Sequence, residues 1–448
     1  MGKIRATAGL LVLCMLSILL SGCDGIKGKE VSAEETAEKK LTFYYPRDGS
    51  QIIKELVLIY NDRQNDMDVD PVEIPGTRTE FAGKLKALLN AGEVFPDVLL
   101  IHDTWLVPLA EARYIQPLDG GLSEEKKSGF FPGMMDAMVW NGETYGLPFW
   151  QDTPLLYYRS DLVATPPATW EQAEQEAADI LAADAIPIGL LFPGKPQENA
   201  AAFLSGFWSA YHACPDFRSA EVLLDEAAMT TAWNRMNSMV TGGVISADVL
   251  NMSAENCRSS FEKGNAVFMW NWSYAARLFQ REESPLHGKF GVIPVPASAD
   301  GTGSIGILSG YAMVMSKKTS VIPEVWSFMQ YMTGEESQRG MMDAGLMPSR
   351  SSFYEDSAWL NEIGLPSWFG NILGSGQVLK LGPKADGRLN EMSQALALAV
   401  GQKKGAADLM LFMKEGIVPG EQSEEPLEDG PAEEADKNME GSTGTKEE

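Results

Sequence analysis

The residues of this chain whose side chains could recognise a ligand are aromatic residues that lie close to polar residues in the sequence. The pairs, which occur in four separate segments, are Asp103 with Trp105, Trp150 with Asp152, Asn271 with Trp272, and Ser309 with Tyr311. A sugar is recognised by a flat apolar surface for its C–H groups and by acceptors for its hydroxyl groups. The aromatics could instead be buried core residues. Because four such pairs are hard to attribute to core packing alone, the pattern favours a ligand cleft.

Motifs for catalysis and cofactor binding are missing from the sequence. The three histidines, His102, His212 and His287, lack the spacing of metal ligands, so we predict no zinc or other metal site. There is no G-x-S-x-G motif, and the glycine-rich stretch 301–306 contains neither G-x-G-x-x-G nor G-K-[ST]. We predict no catalytic residue and no cofactor. Paired carboxylates among the 62 acidic residues leave an enzyme acting on glycans as an alternative.

The polar and aromatic pairs follow or border predicted strands. Strands at 41–45, 68–74 and 97–101 alternate with helices at 51–60 and 79–90, which predicts parallel pairing in an α/β fold. Ligands bind at the carboxyl ends of such strands, where Asp103 lies. Asp103 could equally cap a helix from Trp105 to Ala112, and the two roles can coexist. Another buried strand, 266–270, delivers Trp272 and Tyr274 at its end.

Further elements follow from periodicity and turn residues. Thr169 is predicted to cap a helix from Trp170 to Ala183, and a strand is predicted at 312–316 after the glycine-rich stretch. The stretch Tyr145–Leu162 reads as buried strand around Trp150 and Asp152. Helices are also predicted at 321–333, 335–342, 389–400 and 406–414.

The two ends of the chain differ from its body. Residues 1–22 form a predicted lipoprotein signal peptide, because an apolar run leads to Leu-Ser-Gly before Cys23, which we expect to be lipidated. Residues 23–40 are a predicted tether. Residues 419–448 are a predicted disordered tail, since 421–448 carry 11 acidic residues and 2 lysines. Cys214 and Cys257 remain in an oxidising compartment, and the sequence leaves two alternatives for them, a disulfide or two buried thiols.

The length and the net charge of the chain restrict the number of its lobes and the class of its partners. About 400 residues after the tether are too many for one core, so two lobes are expected. No other stretch approaches the roughly 20 apolar residues of a membrane-spanning helix. The net charge of −26 argues against a nucleic-acid partner.

Several segments together resemble one family, the ABC-transporter extracellular solute-binding lipoproteins of sugar-binding family 1, which are similar to maltose-binding protein. The segments are Lys84–Leu118, Tyr145–Leu162, Gly264–Phe279, Lys289–Pro296 and Gly310–Arg350. They cover most of residues 41–355 in the family's order.

The resemblance implies a two-lobed α/β fold of the periplasmic-binding-protein type II, with a hinge and an interlobe cleft. It implies one lobe from 41–153 and 294–352 and a second from 154–293 and 353–418. The ligand-binding residues that it implies are Asp103, Trp105, Trp150, Asp152, Trp272, Tyr274, Ser309, Gly310, Tyr311 and Arg350. Two positions depart from the family pattern: Gly382 stands where many relatives have Arg, and Gln51 where some have Glu.

The resemblance also implies a function outside the cytoplasm. The protein would be a monomer anchored to the membrane through Cys23, capture a di- or oligosaccharide in the cleft and deliver it to an ABC-transporter permease. A glycan-acting enzyme and a sensory or structural lipoprotein of the same fold are the alternatives.

Overall fold

The computed structural model describes residues 40–415, apart from 77, 92–95, 119, 184–185, 197–198, 215, 219–224 and 300–305. The predicted signal peptide, the lipidation site Cys23, the tether except for Lys40, and the acidic tail lie outside the described residues. Within the described residues, no helix is both long enough and apolar enough to cross a bilayer.

The strands of the described residues are short and belong to two main sheets and one hairpin. Their bounds are β1 Leu41–Pro46, β2 Val69–Ile74, β3 Val98–His102, β4 Val139–Trp140, β5 Glu143–Thr144, β6 Gly146–Asp152, β7 Pro154–Arg159, β8 Ile188–Leu191, β9 Ala266–Trp272, β10 Phe290–Ile293, β11 Ile307–Met315 and β12 Gln377–Val378.

The helices cover both sheets and fill most of the connections. Their bounds are α1 Ile52–Arg63, α2 Arg78–Ala91, α3 Leu106–Glu111, α4 Glu124–Ser128, α5 Pro132–Ala137, α6 Trp170–Ala182, α7 Ala200–Ser209, α8 Glu226–Thr241, α9 Ala254–Glu262, α10 Tyr274–Phe279, α11 Ile322–Met332, α12 Glu335–Asp343, α13 Ser357–Glu362, α14 Phe369–Ser375, α15 Ala385–Gly401 and α16 Ala406–Glu415. Short 3₁₀ turns occupy Asp103–Trp105, Ala247–Asn251 and Ser351–Glu355.

The first sheet has the order β12-β11-β3-β1-β2, with β6 also paired to β11. Strand β1 is parallel to both β2 and β3, as the alternation of strands and helices predicts. Strand β11 runs antiparallel to β3 and to β6. Strand β3 is buried along its whole length, with Leu99 and Ile101 in one core cluster and Val98 and Leu100 in the other. Burial on both faces explains why this strand is a continuous apolar run.

The second sheet has the order β10-β7-β9-β8. Strand β7 is antiparallel to β9 and β10, and β8 is parallel to β9. Helix α6 packs beside β8 and buries Trp170, Ala173 and Ala177, while its cap Thr169 accepts a hydrogen bond from the Gln172 amide. The predicted helix and its cap are therefore confirmed.

A single residue joins the two sheets at the end of β6. Thr153 lies between Asp152, the last residue of β6, and Pro154, the first residue of β7. Its side chain is fully buried, and its hydroxyl donates to the Ile307 carbonyl at 3.1 Å. The stretch that reads as one strand region is therefore two strands in different sheets.

Two expectations from the sequence differ from the structure. Strand β11 begins at Ile307 rather than at Ala312, because Ser309 and Gly310 already pair with β6. The predicted helix from Trp105 begins only at Leu106, after a 3₁₀ turn. Strand β12 pairs with β11 in the first sheet, whereas the family resemblance implies that residues 353–418 belong to the second lobe.

Candidate functional site

The carboxyl end of β3 brings Asp103 against β11. Asp103 is 5 % exposed, and its Oδ2 accepts a hydrogen bond from the Gly310 amide at 3.0 Å. Asp103 does not take the alternative capping role: His102 caps the 3₁₀ turn, its Nδ1 accepting from the Thr104 amide at 3.3 Å, and α3 begins at Leu106 without a side-chain cap. The Asp103 carboxylate bonds to Gly310 because β11, which is distant in sequence, lies beside it in the sheet.

Trp150 and Tyr311 form an aromatic pair at the same place. They face each other across β6 and β11, with ring centroids 4.3 Å apart and planes tilted by 38°. The register shifts by one residue directly after Tyr311, which marks a β-bulge. Both rings are half-buried, so each retains exposed surface beside its neighbour. Tyr311 also makes an edge contact with the ring of His102, at 5.2 Å.

Asp152 connects the two sheets through hydrogen bonds. Its Oδ1 accepts from the Thr153 amide at 2.8 Å and from the Ser273 amide at 3.3 Å. Ser273 follows β9 of the second sheet, while Asp152 ends β6 of the first. In the β6–β11 ladder, Asp152 lies opposite Ser309. The carboxylate therefore lies at the junction of the sheets, beside β11, whose Gly310 amide donates to Asp103.

Burial controls the electrostatics of this junction. It raises the pKa of Asp152 from 3.8 to about 7, and the hydrogen bonds from Ser273 and Thr153 oppose the shift without cancelling it. The phenols of Tyr157, Tyr274 and Tyr354 lie within electrostatic reach, and burial raises the pKa of each. An acid surrounded by neutral phenols gains little stabilisation of its charge, so Asp152 exchanges its proton near neutral pH.

Trp272 approaches the junction from the second sheet. Its indole Nε1 donates to Asn199 Oδ1 at 3.1 Å, and its carbonyl accepts from the Tyr157 hydroxyl at 2.8 Å. The ring is half-buried and makes an edge contact with Trp270. Because its polar edge is held in this way, the indole has a fixed orientation with part of its surface exposed.

Two predicted site residues, Trp105 and Arg350, pack against other aromatic rings, and Trp105 also lies 6.3 Å from the His102 ring. Trp105 is 7 % exposed and lies parallel to the ring of Phe81, with centroids 5.5 Å apart. Arg350 donates through Nε to the Thr333 carbonyl at 2.8 Å, and its guanidinium lies 4.2 Å from the centre of the Phe130 ring. The structure thus brings Asp103, Trp150, Asp152, Ser309, Gly310 and Tyr311 together across β3, β11 and β6. Trp272 and Tyr274 flank Ser273, whose amide donates to Asp152.

A cavity of about 610 Å³ opens beside Asp103. Thr104, Val107 and Trp140 line it from the first sheet's side, and Arg218 and Lys380 line it from later segments. Its volume suits a small-molecule ligand. Among the predicted residues, Asp103 belongs to the lining, whereas the Trp150–Tyr311 pair and Trp272 do not.

Sequence reasoning missed three residues of the junction. His102 entered only as a possible metal ligand, although it lies between Asp103 and Ser309. Ser273 and Asn199 were not singled out, because they act through an amide and through the edge of an indole ring. Adjacency to a predicted residue was the available signal for His102 and Ser273, but no local pattern indicates Asn199. No cluster of three or more metal-ligating side chains occurs among the described residues.

Comparison with known proteins identifies the family. Residues 50–339 match the family model of the bacterial extracellular solute-binding proteins. A probable ABC transporter-binding protein of Deinococcus radiodurans is 25 % identical over 345 residues, covering 73 % of this chain and 80 % of the relative.

Solved structures share the fold. Maltose-bound MalE3 of T. maritima superposes with a TM-score of 0.73 at 22 % identity, covering 84 % of this chain and 98 % of the other. The sugar-binding protein MalE of Xanthomonas citri gives a TM-score of 0.70 at 22 % identity, covering 85 % and 96 %. These likenesses confirm the two-lobed α/β fold. From the family match over residues 50–339, this chain belongs to the bacterial extracellular solute-binding protein family, whose members work outside the cytoplasm.

Proposed function

We propose that the chain is the sugar-capturing component of an ABC importer. The observation that carries this proposal is the junction of the two sheets, where Asp152 at the end of β6 accepts a hydrogen bond from the Ser273 amide of the second sheet. Half-buried Trp150 and Tyr311 lie on the adjoining strands of the first sheet, and half-buried Trp272 directly precedes Ser273. Such a combination suits a di- or oligosaccharide, which offers both C–H faces and hydroxyl donors. The family match and the sugar ligands of similar proteins support the same class of solute.

In the proposed mechanism, the ligand stabilises a closed arrangement of two lobes. Asp103 and Asp152 accept hydroxyl hydrogen bonds, and bonds to a charged acceptor are about twice as strong as neutral ones. Trp150 and Trp272 supply stacking faces from opposite sheets. Since a ligand shifts an equilibrium only through its different affinity for the two states, contact with both lobes is what favours closure.

The lobe boundaries are part of the proposal. The exchange at Thr153 supports a change of lobe after residue 153, and the return to the first lobe would begin at residue 294, directly after β10. The pairing of β12 in the first sheet favours assigning residues 377–378 to the first lobe. We also propose that Cys23 carries a lipid anchor, that the partner is a permease and that the protein is a monomer. Ligand contacts of Trp105 and Arg350 are part of the same proposal.

Replacing Trp272 by Ala should weaken saccharide binding by about 1 to 3 kcal/mol, because a buried aromatic face is lost. Isothermal titration calorimetry with the first sugar found to bind in a thermal-shift panel measures the dissociation constant. Saturation at about 100 times that constant would stabilise the protein by about 2.7 kcal/mol, enough to detect. Trp326→Ala is the control, since Trp326 lies on α11 beside Lys126. An unchanged constant in the Trp272 variant would remove this residue from the site.

Incubation of the purified protein with an oligosaccharide panel should yield stoichiometric complexes and no products. This expected result separates a carrier from a glycan-acting enzyme, because an enzyme turns its substrate over. Product analysis by mass spectrometry after prolonged incubation is the measurement. Release of shorter sugars in an amount exceeding the amount of protein would favour the enzyme, whereas the absence of any thermal shift with any sugar would favour a sensory or structural lipoprotein.

A further inference from the structure

The cavity of about 610 Å³ and the Trp150–Tyr311 pair lie on opposite faces of the first sheet. Successive residues of a strand point to opposite faces, and on β3 the neighbours Leu100 and Ile101 belong to different core clusters. Trp150 and Tyr311 pack against the cluster of Leu100, whereas Trp140, the aromatic residue of the described cavity lining, packs against the cluster of Ile101. The cavity is therefore separate from the aromatic pair.

The indole of Trp140 is fixed at its polar edge. Its Nε1 donates a hydrogen bond to Oε1 of Glu111, the last residue of α3, and the same oxygen accepts from Asn141 Nδ2 at 3.3 Å. Asn141 and Gly142 connect β4 to β5 with φ angles of 50° and 83°, which suit the tight turn of a two-residue hairpin. Trp140 is half-buried, so the part of its ring that lines the cavity is apolar surface in a fixed place.

Asp103 brings an unused acceptor to the same cavity. Its side chain is 1 % exposed, and while Oδ2 accepts from the Gly310 amide, Oδ1 accepts no hydrogen bond from the described residues. The Nδ1 of His102 lies 2.7 Å from Oδ1, but it accepts a hydrogen bond from the Thr104 amide, so the neutral ring brings no proton to the carboxylate. A buried polar atom without a partner is costly. Since Asp103 lines the cavity, a hydroxyl group bound there would supply the donor.

The charged groups of the lining favour a neutral ligand. Asp103 and Asp136 contribute two carboxylates, and Arg218 and Lys380 contribute two cations. Arg218 already pairs with Asp216, whose Oδ1 accepts from its Nε at 2.9 Å. A ligand with a net charge of either sign would meet groups of the same sign, whereas a hydroxyl group both donates and accepts. Together with the indole surface, this lining suits an uncharged saccharide.

We propose that this cavity is a second saccharide site, with Trp140 as its stacking surface, Asp103 as its acceptor and Glu111 as the positioning residue of the indole. The inference goes beyond the proposed function, in which Trp150 and Trp272 contact the captured sugar. It shares Asp103 with that function and adds Trp140 and Glu111. The cavity and the Trp150 ring would be occupied independently, because they lie on opposite faces of the sheet.

Nitrogen-15 NMR of the tryptophan indoles tests the second site. The purified protein is titrated with glucose, xylose, maltose and trehalose up to about 100 mM, a range that detects weak binding. Trp140→Phe identifies the Trp140 resonance by its loss. We expect at least one of these neutral probes to shift this resonance to saturation, with a dissociation constant that Trp272→Ala leaves unchanged. Glucuronate and glucosamine, which each add one charge to the glucose ring, should bind at least about threefold more weakly than the neutral probes.

Further variants retain the Trp140 indole as the reporter. Asp103→Asn replaces one acceptor oxygen by a donor and should weaken this binding about tenfold. Glu111→Ala frees the edge of the indole and should weaken it about threefold, whereas Glu111→Gln, which retains an accepting oxygen, should weaken it less. Trp326→Ala is the control, because Trp326 lies on α11 beside Lys126 and should leave the dissociation constant unchanged. Urea unfolding checks that each variant is folded.

The outcomes for the two sites are distinguishable. No saturable shift of the Trp140 resonance with any neutral probe, a dissociation constant that changes with Trp272→Ala, or unchanged binding in Asp103→Asn would each overturn the second site. Sugar binding that is lost in Trp272→Ala while the Trp140 resonance stays in place would leave the proposed function intact. A shift at Trp140 in a protein that binds no sugar through Trp272 would support the cavity and count against the proposed function.

Discussion

Asp152→Asn is expected to remove a fall in stability that the wild-type protein shows as pH rises from about 4 to about 7. Burial raises the pKa of this carboxyl from 3.8 to about 7, so the folded state keeps a proton that the unfolded state has already lost. Below this window both states are protonated, and Asp152 has no effect on the pH dependence. Above it, the folded state carries a buried charge that costs up to about 4 kcal/mol at 1.36 kcal/mol per pKa unit.

Urea unfolding at about pH 5 and about pH 8 measures the effect. Asn retains an oxygen that can accept from the Thr153 and Ser273 amides, so the variant should gain stability relative to the wild type as pH rises. Asp66→Asn is the matched control, because Asp66 is exposed and its substitution should leave the pH profile unchanged. Parallel profiles for the wild type and Asp152→Asn would contradict the prediction.

The same carboxyl should couple proton release to binding. A sugar hydroxyl that donates to Asp152 favours the charged form, so the affinity should increase with pH up to about 7 in the wild type and stay flat in Asp152→Asn. Calorimetry in two buffers with different enthalpies of ionisation detects the released proton.

Gly310→Ala is expected to disturb stability and binding together. An added Cβ would lie 2.2 Å from the Trp150 carbonyl oxygen and 2.9 Å from Gln151 Cα, both of which are backbone atoms of β6. Since backbone atoms cannot rotate away, β11 must separate from β6. Overpacking of this kind typically costs about 1 to 3 kcal/mol. The separation would also displace Tyr311 from Trp150 and weaken the bond from the Gly310 amide to Asp103.

Gly387→Ala is the matched control, because an added Cβ at this position in α15 meets no atom within 4 Å. Alanine is favoured over glycine in helices by about 1 kcal/mol, so this variant should be as stable as the wild type or more so. Denaturant unfolding and calorimetry on both variants give the comparison. Wild-type stability and affinity in Gly310→Ala would show that the two strands can separate there without consequence.

Much of the local structure was predictable from the sequence. The apolar run before His102 is buried on both faces, and its continuity identified β3. The spacing of Trp170, Ala173 and Ala177 together with the Thr169 cap identified α6. In each case, the residues that determine the element are close together in the sequence, within a few turns of a helix or within one strand.

Expectations failed where a distant strand outweighed local propensity. A strand is predicted only from Ala312, yet Ser309 and Gly310 already pair with Asp152 and Gln151, more than 150 residues earlier. Asp103 is a typical helix cap, yet a neighbouring strand supplies the donor for its carboxylate. In both places, contact between segments far apart in sequence determined the local structure.

By itself, the sequence determined which segments form most of the strands and helices and the parallel pairing around β1, and it predicted a set of aromatic and acidic residues for a ligand site. Only the tertiary structure decided that Asp152 bonds across the two sheets, that His102 lies between Asp103 and Ser309, and that Trp105 stacks on Phe81 and Arg350 on Phe130. The physical reason is that local patterns record periodicity and capping, whereas burial, pKa and hydrogen-bond partners depend on which distant segments the fold brings together.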